Sequence, residues 1–177
     1  VVEIGDLLRG DLNFSAIGTV TYCDNGGRLV AFGHPMTNGG EVGLPTCTAR
    51  VLHILASEQR SFKLAEPVAS LGTLVNDRQA AIVIDTARQA QTIPVTVRLH
   101  GIEGTPRTEW HMEVASHRSL TPLLVVAAIS NALEAAVSDQ TEMIISAHEK
   151  LSVVGHHDVE LDDTLQSLAG LSSPRAL

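Results

Sequence analysis

The chain has 177 residues, 44% hydrophobic but only 3% aromatic, so its core is expected to rest on Val, Leu, Ile and Ala, and a chain of this length buries roughly two thirds of its unfolded surface. The net charge of −8 excludes the basic stripe that a nucleic-acid backbone requires and argues against an anionic membrane surface. No apolar run reaches the ~20 residues of a bilayer span, since Pro122 to Val137 is broken by Ser130, Asn131 and Glu134, and no charged-then-apolar leader opens the chain.

The first residue is Val rather than Met, which suggests an upstream portion. Asp11 to Asp24 alternates β-branched and aromatic residues and ends at Asp24-Asn25-Gly26-Gly27, a hairpin signal because Asn and Gly tolerate positive φ. Leu29 to Phe32 then runs back and delivers His34 between Gly33 and Pro35, ahead of a loop holding three further glycines. Cys47 to Ala56 reads as the next strand. Pro67 to Val75 and Gln79 to Asp85 read as a second hairpin with Asn76-Asp77-Arg78 at its turn.

Ile93 to Leu99 and Arg107 to Val114 pair naturally across the Gly101 to Pro106 loop. The period then changes. Thr121-Pro122 combines an N-cap with proline at the first helical position, and the apolar run that follows continues as a helix. Met143 to Val154 and His157 to Leu161 return to strand composition, and Leu171 to Leu177 is expected to fray. The predicted architecture is mainly β (α+β), six to eight short antiparallel strands in a barrel or sandwich with one main C-terminal helix and no internal repeat. Residues 1–118 form the β-rich part and 119–177 the helix with terminal strands, together one domain or a domain portion.

His34 is the residue whose setting invites chemistry. At a strand end, in a glycine-rich corner, its ring suits a general base to a serine; a simple turn histidine fits the same pattern. His156 and His157 are adjacent, and neighbouring strand residues point to opposite faces, so one metal ion is not expected between them. His53, His100, His111, His117 and His148 are scattered, and neither a metal nor another cofactor is expected. Asn38 to Gly43 lacks the lysine of a phosphate loop. Asp77 beside Arg78 reads as a turn with a local ion pair. Cys23 and Cys47 either pair or stand as two separate thiols.

A nucleophile is harder to find. Serine nucleophiles sit on tight, glycine-flanked turns, whereas Ser15 and Ser61 lie among strand-like residues, Ser130 lies in the helix, and Ser172 and Ser173 lie in the tail.

Several segments together resemble the sporulation factor IV B (SpoIVB) serine peptidase family, closest to its relatives outside spore formers. They are Gly18 to Met36 (GTVTYCDNGGRLVAFGHPM), Ser61 to Ile82, Ile93 to Leu99, and His117 to Leu124 (HRSLTPLL), within a likeness that covers Asp6 to Ala136. The resemblance implies a trypsin-like, extracytoplasmic serine endopeptidase fold and assigns His34 the catalytic histidine. The family's serine segment, GMSGSP, has no counterpart here, so the resemblance implies a serine, with its neighbouring aspartate, supplied by an upstream segment or chain. It gives Asp77 no catalytic role. The expected partner is then a peptide or protein substrate. A non-catalytic peptide-binding or assembly module that docks a strand at its edges is the rival expectation, and a homodimer burying the helix at 122–137 is a third.

Overall fold

The computed structural model describes residues 2–59, 61–102, 105, 107–137, 143–167 and 174–176. The alternating segments become antiparallel strands: β1 (Val2–Gly10), β2 (Phe14–Cys23), β3 (Arg28–Ala31), β4 (Gly40–Leu55), β5 (Phe62–Arg78), β6 (Ala81–Asp85), β7 (Thr92–Arg98) and β8 (Glu109–Ala115). The helix α1 (Thr121–Ala136) follows, then β9 (Met143–Leu151), β10 (Val159–Ser167) and β11 (Pro174–Ala176). Two compact units result, residues 1–98 with 109–129 and residues 99–108 with 130–177.

In the first unit eight strands form one sheet in the order β2-β3-β6-β5-β4-β1-β8-β7, with a further pairing of β1 to β2. That pairing closes six strands, β1-β2-β3-β6-β5-β4, into an antiparallel barrel, which leaves fewer unpaired edges. β1 sits at the seam: Gly5 is opposite Ala16 of β2 on one side and Thr46 of β4 on the other. Beyond the seam Arg9 is opposite Glu113, so β8 and then β7 continue from the barrel wall.

Directly opposed residues share a face, and the rows name the interior. Leu44, Leu74, Ile84 and Leu29 form one row across β4, β5, β6 and β3. Ala31, Ile82 and Asp77 form the next. Leu44, Leu74, Ile82 and Ile84 are fully buried, each worth about 1.5–3 kcal/mol against the exposed side chain. Asp77 is fully buried among them.

Several expectations change. β1 was not anticipated from its residues, and β4 and β5 are long strands of 16 and 17 residues, β4 absorbing Gly40 and Gly43 from the expected loop. Asn76, Asp77 and Arg78 do not form the second turn. They are the end of β5, opposite Val83, Ile82 and Ala81, and Gln79 and Ala80 turn the chain. In the first hairpin positive φ falls on Gly27 (80°) rather than on Asn25 and Gly26. Asp24 closes that turn by accepting the Gly26 and Arg28 amides at 2.8 and 2.7 Å.

The start of α1 is also built differently from the expected cap. The Thr121 hydroxyl accepts the His117 amide at 2.8 Å and donates to the Ala115 carbonyl at 2.8 Å, bracing the connection from β8. The His117 Nδ1 takes the Ser119 and Leu120 amides, each at 3.3 Å, which satisfies donors at the helix start. Leu124 and Ala128 are the buried side of the first turns.

In the second unit β9 and β10 form a ribbon in which His148 is opposite Asp162 and Lys150 opposite Glu160. Its other face carries Leu151, Val159 and Leu161, all about half exposed or more. Pro174 to Ala176 is not frayed but pairs with β10; residues 171–173 and 177 of the expected tail lie outside the described residues. His156 and His157 lie in the β9–β10 loop. No helix among the described residues is long and apolar enough to cross a membrane.

Candidate functional site

His34 stands on the loop between β3 and β4, and the chain reaches it through an unusual corner. Phe32 has φ of 73° and Gly33 of 71°, two successive left-handed residues, the first of them not glycine and therefore held there at a cost. What holds Phe32 is β2. Its amide donates to the Thr19 carbonyl at 3.1 Å, and its ring occupies the space a β-carbon on Gly18 would fill, 1.8 Å from that position. The ring of Phe32 then meets that of His34, with centroids 5.4 Å apart and planes at 47°.

The imidazole is exposed, and its one hydrogen bond among the described residues decides the tautomer of the neutral ring. Nδ1 lies 2.7 Å from the Pro35 carbonyl oxygen. A carbonyl only accepts, so Nδ1 carries a proton, and in the neutral ring Nε2 then carries the lone pair. Among the described residues Nε2 has no hydrogen-bond partner, and no serine hydroxyl is bonded to the ring. Ser61, outside the strands, bonds instead to Ser57.

After His34 the loop folds onto Asp77. Its carboxylate accepts the Met36 amide (2.8 Å), the Thr37 amide (2.7 Å) and hydroxyl (2.8 Å), and the Gly39 amide (3.4 Å). Burial pushes the Asp77 carboxyl up, but the hydrogen bonds from Thr37, Met36 and Gly39 outweigh it and leave its pKa below the ordinary aspartate value. Asp77 therefore does not serve a turn with Arg78; it anchors the loop that follows the histidine. Met36 is drawn over β1, its sulfur 2.9 Å from where a β-carbon on Gly5 would stand.

A second feature lies on the β1-β8-β7 extension. An open groove of about 500 Å³ is lined by Arg9, Pro94, Thr96, His111, Met112 and Glu113, among others. The Arg9 Nε donates to Glu113 at 2.8 Å, and Thr92 donates to the same carboxylate at 3.2 Å. These bonds hold the Glu113 pKa below its ordinary value despite some burial. Asp6 lies near this pair with only 4% of its surface exposed, and its Oδ1 is buried without a partner. Burial raises its pKa against the attraction of Arg9.

Among the described residues, no three His, Cys, Asp or Glu side chains lie close enough to hold a metal ion. Cys23 is exposed, Cys47 is buried, and no disulfide joins them. On β8 the His111 Nδ1 lies 3.4 Å from the Thr96 hydroxyl, and His148 pairs with Asp162 at 2.8 Å on the exposed ribbon; among the described residues no serine hydroxyl bonds either ring. No protein-family model, curated protein or solved structure matches this chain.

Proposed function

We propose that this chain is the histidine-bearing part of a SpoIVB-like serine endopeptidase, with His34 as general base and a serine contributed by a segment outside this chain. The observation that carries the reading is the exposed ring with Nδ1–H given to Pro35 and Nε2 left open. In that state Nε2 takes the proton from a serine hydroxyl as its oxygen attacks a peptide carbonyl. The same nitrogen then returns the proton to the departing amine as the C–N bond breaks, and water hydrolyses the acyl-enzyme. A closed antiparallel barrel with the histidine on a connecting loop suits the trypsin-like arrangement that the resemblance implies. Extracytoplasmic action belongs to the same reading.

The test is hydrolysis of an unfolded protein by the chain joined to its serine-bearing segment. His34→Ala is expected to lower the rate about 10²–10⁴-fold, and an unchanged rate sinks the proposal. Fluorophosphonate labelling that follows His34 on the same samples would identify the serine by peptide mapping.

A second reading, a non-catalytic peptide-binding module, draws on β7. Among the described residues β7 pairs with β8 alone. The amides and carbonyls of Thr92, Thr96 and Arg98 point away from β8, given that Gln91 and Leu99 bond toward it. Pro94 interrupts this edge by lacking an amide proton, a device that also discourages strand addition. Tight binding of an extended peptide, unaffected by His34→Ala and weakened by changes at Thr96, would favour this reading over hydrolysis.

A further inference from the structure

One peptide group joins the two hydrogen-bond systems around His34. The Pro35 carbonyl that accepts Nδ1–H of His34 and the Met36 amide that donates to Asp77 Oδ1 belong to the same planar unit, Pro35–Met36. That peptide is trans, so its C=O and N–H point in opposite directions. Asp77, the peptide and the imidazole therefore stand in series, with contacts of 2.8 Å at one end and 2.7 Å at the other.

We infer that Asp77 is a positioning residue for His34, acting through the Pro35–Met36 peptide as an aspartate in direct contact would act on a catalytic imidazole. The inference rests on the reading of His34 as a base. A carboxylate on the amide proton polarises the peptide and makes its carbonyl a better acceptor, because hydrogen bonds in a chain reinforce one another. The stronger acceptor holds the ring in the Nδ1–H form and orients it, and it stabilises the imidazolium that appears when Nε2 takes a proton. Burial helps: Asp77 has no exposed surface, so water does not compete with the amides for its oxygens. The remaining bonds, from Thr37 and Gly39, fix the carboxylate in place. No direct aspartate–histidine contact is needed. The link spans 41 residues of sequence between Met36 and Asp77.

The test is the ring tautomer of His34, read from its two ¹⁵N resonances at a pH where the ring is neutral. In the unmodified protein the Nδ1–H form is expected to dominate. In Asp77→Asn, checked for folding by its amide spectrum, the ratio of Nδ1–H to Nε2–H is expected to fall roughly fivefold, the scale of one weakened hydrogen bond. Thr37→Ala removes one bond that steadies the same carboxylate but leaves the Met36 contact, and is expected to shift the ratio by less than Asp77→Asn does. A folded Asp77→Asn with the wild-type ratio overturns the inference, as does a Thr37→Ala shift of equal size. If Asp77→Asn does not fold, the unmodified protein still decides: a dominant Nε2–H form overturns it. Because no measurement here uses hydrolysis, the two failures are separable: an unchanged hydrolysis rate in His34→Ala sinks the peptidase reading and the catalytic use of this link, whereas the tautomer ratio tests the hold of Asp77 on the ring by itself.

Discussion

The ring of Phe32 lies on the bare α-carbon of Gly18, where any side chain would intrude. This contact explains why a glycine on β2 matters to a histidine two residues beyond Phe32: it lets the Phe32 ring settle, and that ring then supports the His34 ring. Gly18→Ala is expected to destabilise the protein by about 1–3 kcal/mol, the range for overpacking a closed site. Denaturant unfolding checks the stability, and the His34 ring ¹⁵N and ¹H shifts should move with it. A variant as stable as the parent with unmoved ring shifts would refute the coupling.

Asp77 should make the fold sensitive to acid. Its folded pKa lies below its unfolded one, so its contribution is complete above the ordinary aspartate range and is lost as pH falls through the folded value. At neutral pH Asp77→Asn is expected to cost about 2–3 kcal/mol, since charge-assisted bonds from the 36–39 loop are lost. The gap between parent and variant should narrow as pH drops below the usual aspartate range. Urea titrations at a series of pH values would show it; a constant gap would contradict the assignment.

Asp6 should behave in the opposite sense. Burial raises its folded pKa above the unfolded one, so the fold favours the protonated acid and stability drains away as pH rises past the unfolded value. Asp6→Asn removes that charge and is expected to stabilise the protein at neutral pH by on the order of 1 kcal/mol, with the gain vanishing in acid. Thermal unfolding of the two proteins at neutral and acid pH measures this. A loss of stability at neutral pH would show that the Arg9 attraction outweighs burial.

The Thr121 hydroxyl makes one bond to each side of the link between β8 and α1. Thr121→Val keeps the shape and removes both, leaving a buried-side amide and carbonyl to find other partners. A loss of about 1–3 kcal/mol is expected, read by denaturant midpoint with an unchanged slope. No loss would mean that the two groups are satisfied equally well without the hydroxyl.

What could be read from the sequence was local. The Asp24 to Gly27 turn and the helix after Thr121 announce themselves because their bonds are made within a few residues, and β7 and β8 because consecutive alternating strands are joined by a single loop. His34 stands out locally too, between glycine and proline, and the structure places it exposed on the β3–β4 loop. Asp77 was misread because Asn-Asp-Arg has turn composition, and its real partners lie 38–41 residues away in the 36–39 loop. Strand β1 is hard to read because its alternation fails where it matters: Leu7 and Leu8 are both buried, Leu7 being the extra residue in a register shift between Asp6 and Leu8. Closure of the barrel depends on that strand, so it too was beyond local pattern.

The place of β1 at the seam also bears on how the chain finds its fold. This strand bonds to β2, to β4 and, 104 residues away between Arg9 and Glu113, to β8. Hairpins such as β4–β5 and β1–β2 can form early, but ring closure waits on pairings of larger sequence separation, β1 with β4 and β3 with β6, which carry more loop-closure entropy and slow folding. Refolding should therefore be slow for a chain of this size, with the amides that join β1 to β4 and β3 to β6 the last to gain protection from hydrogen exchange. Until they do, β1, β4, β3 and β6 each present an open edge, and the chain is most exposed to strand-to-strand aggregation in that interval.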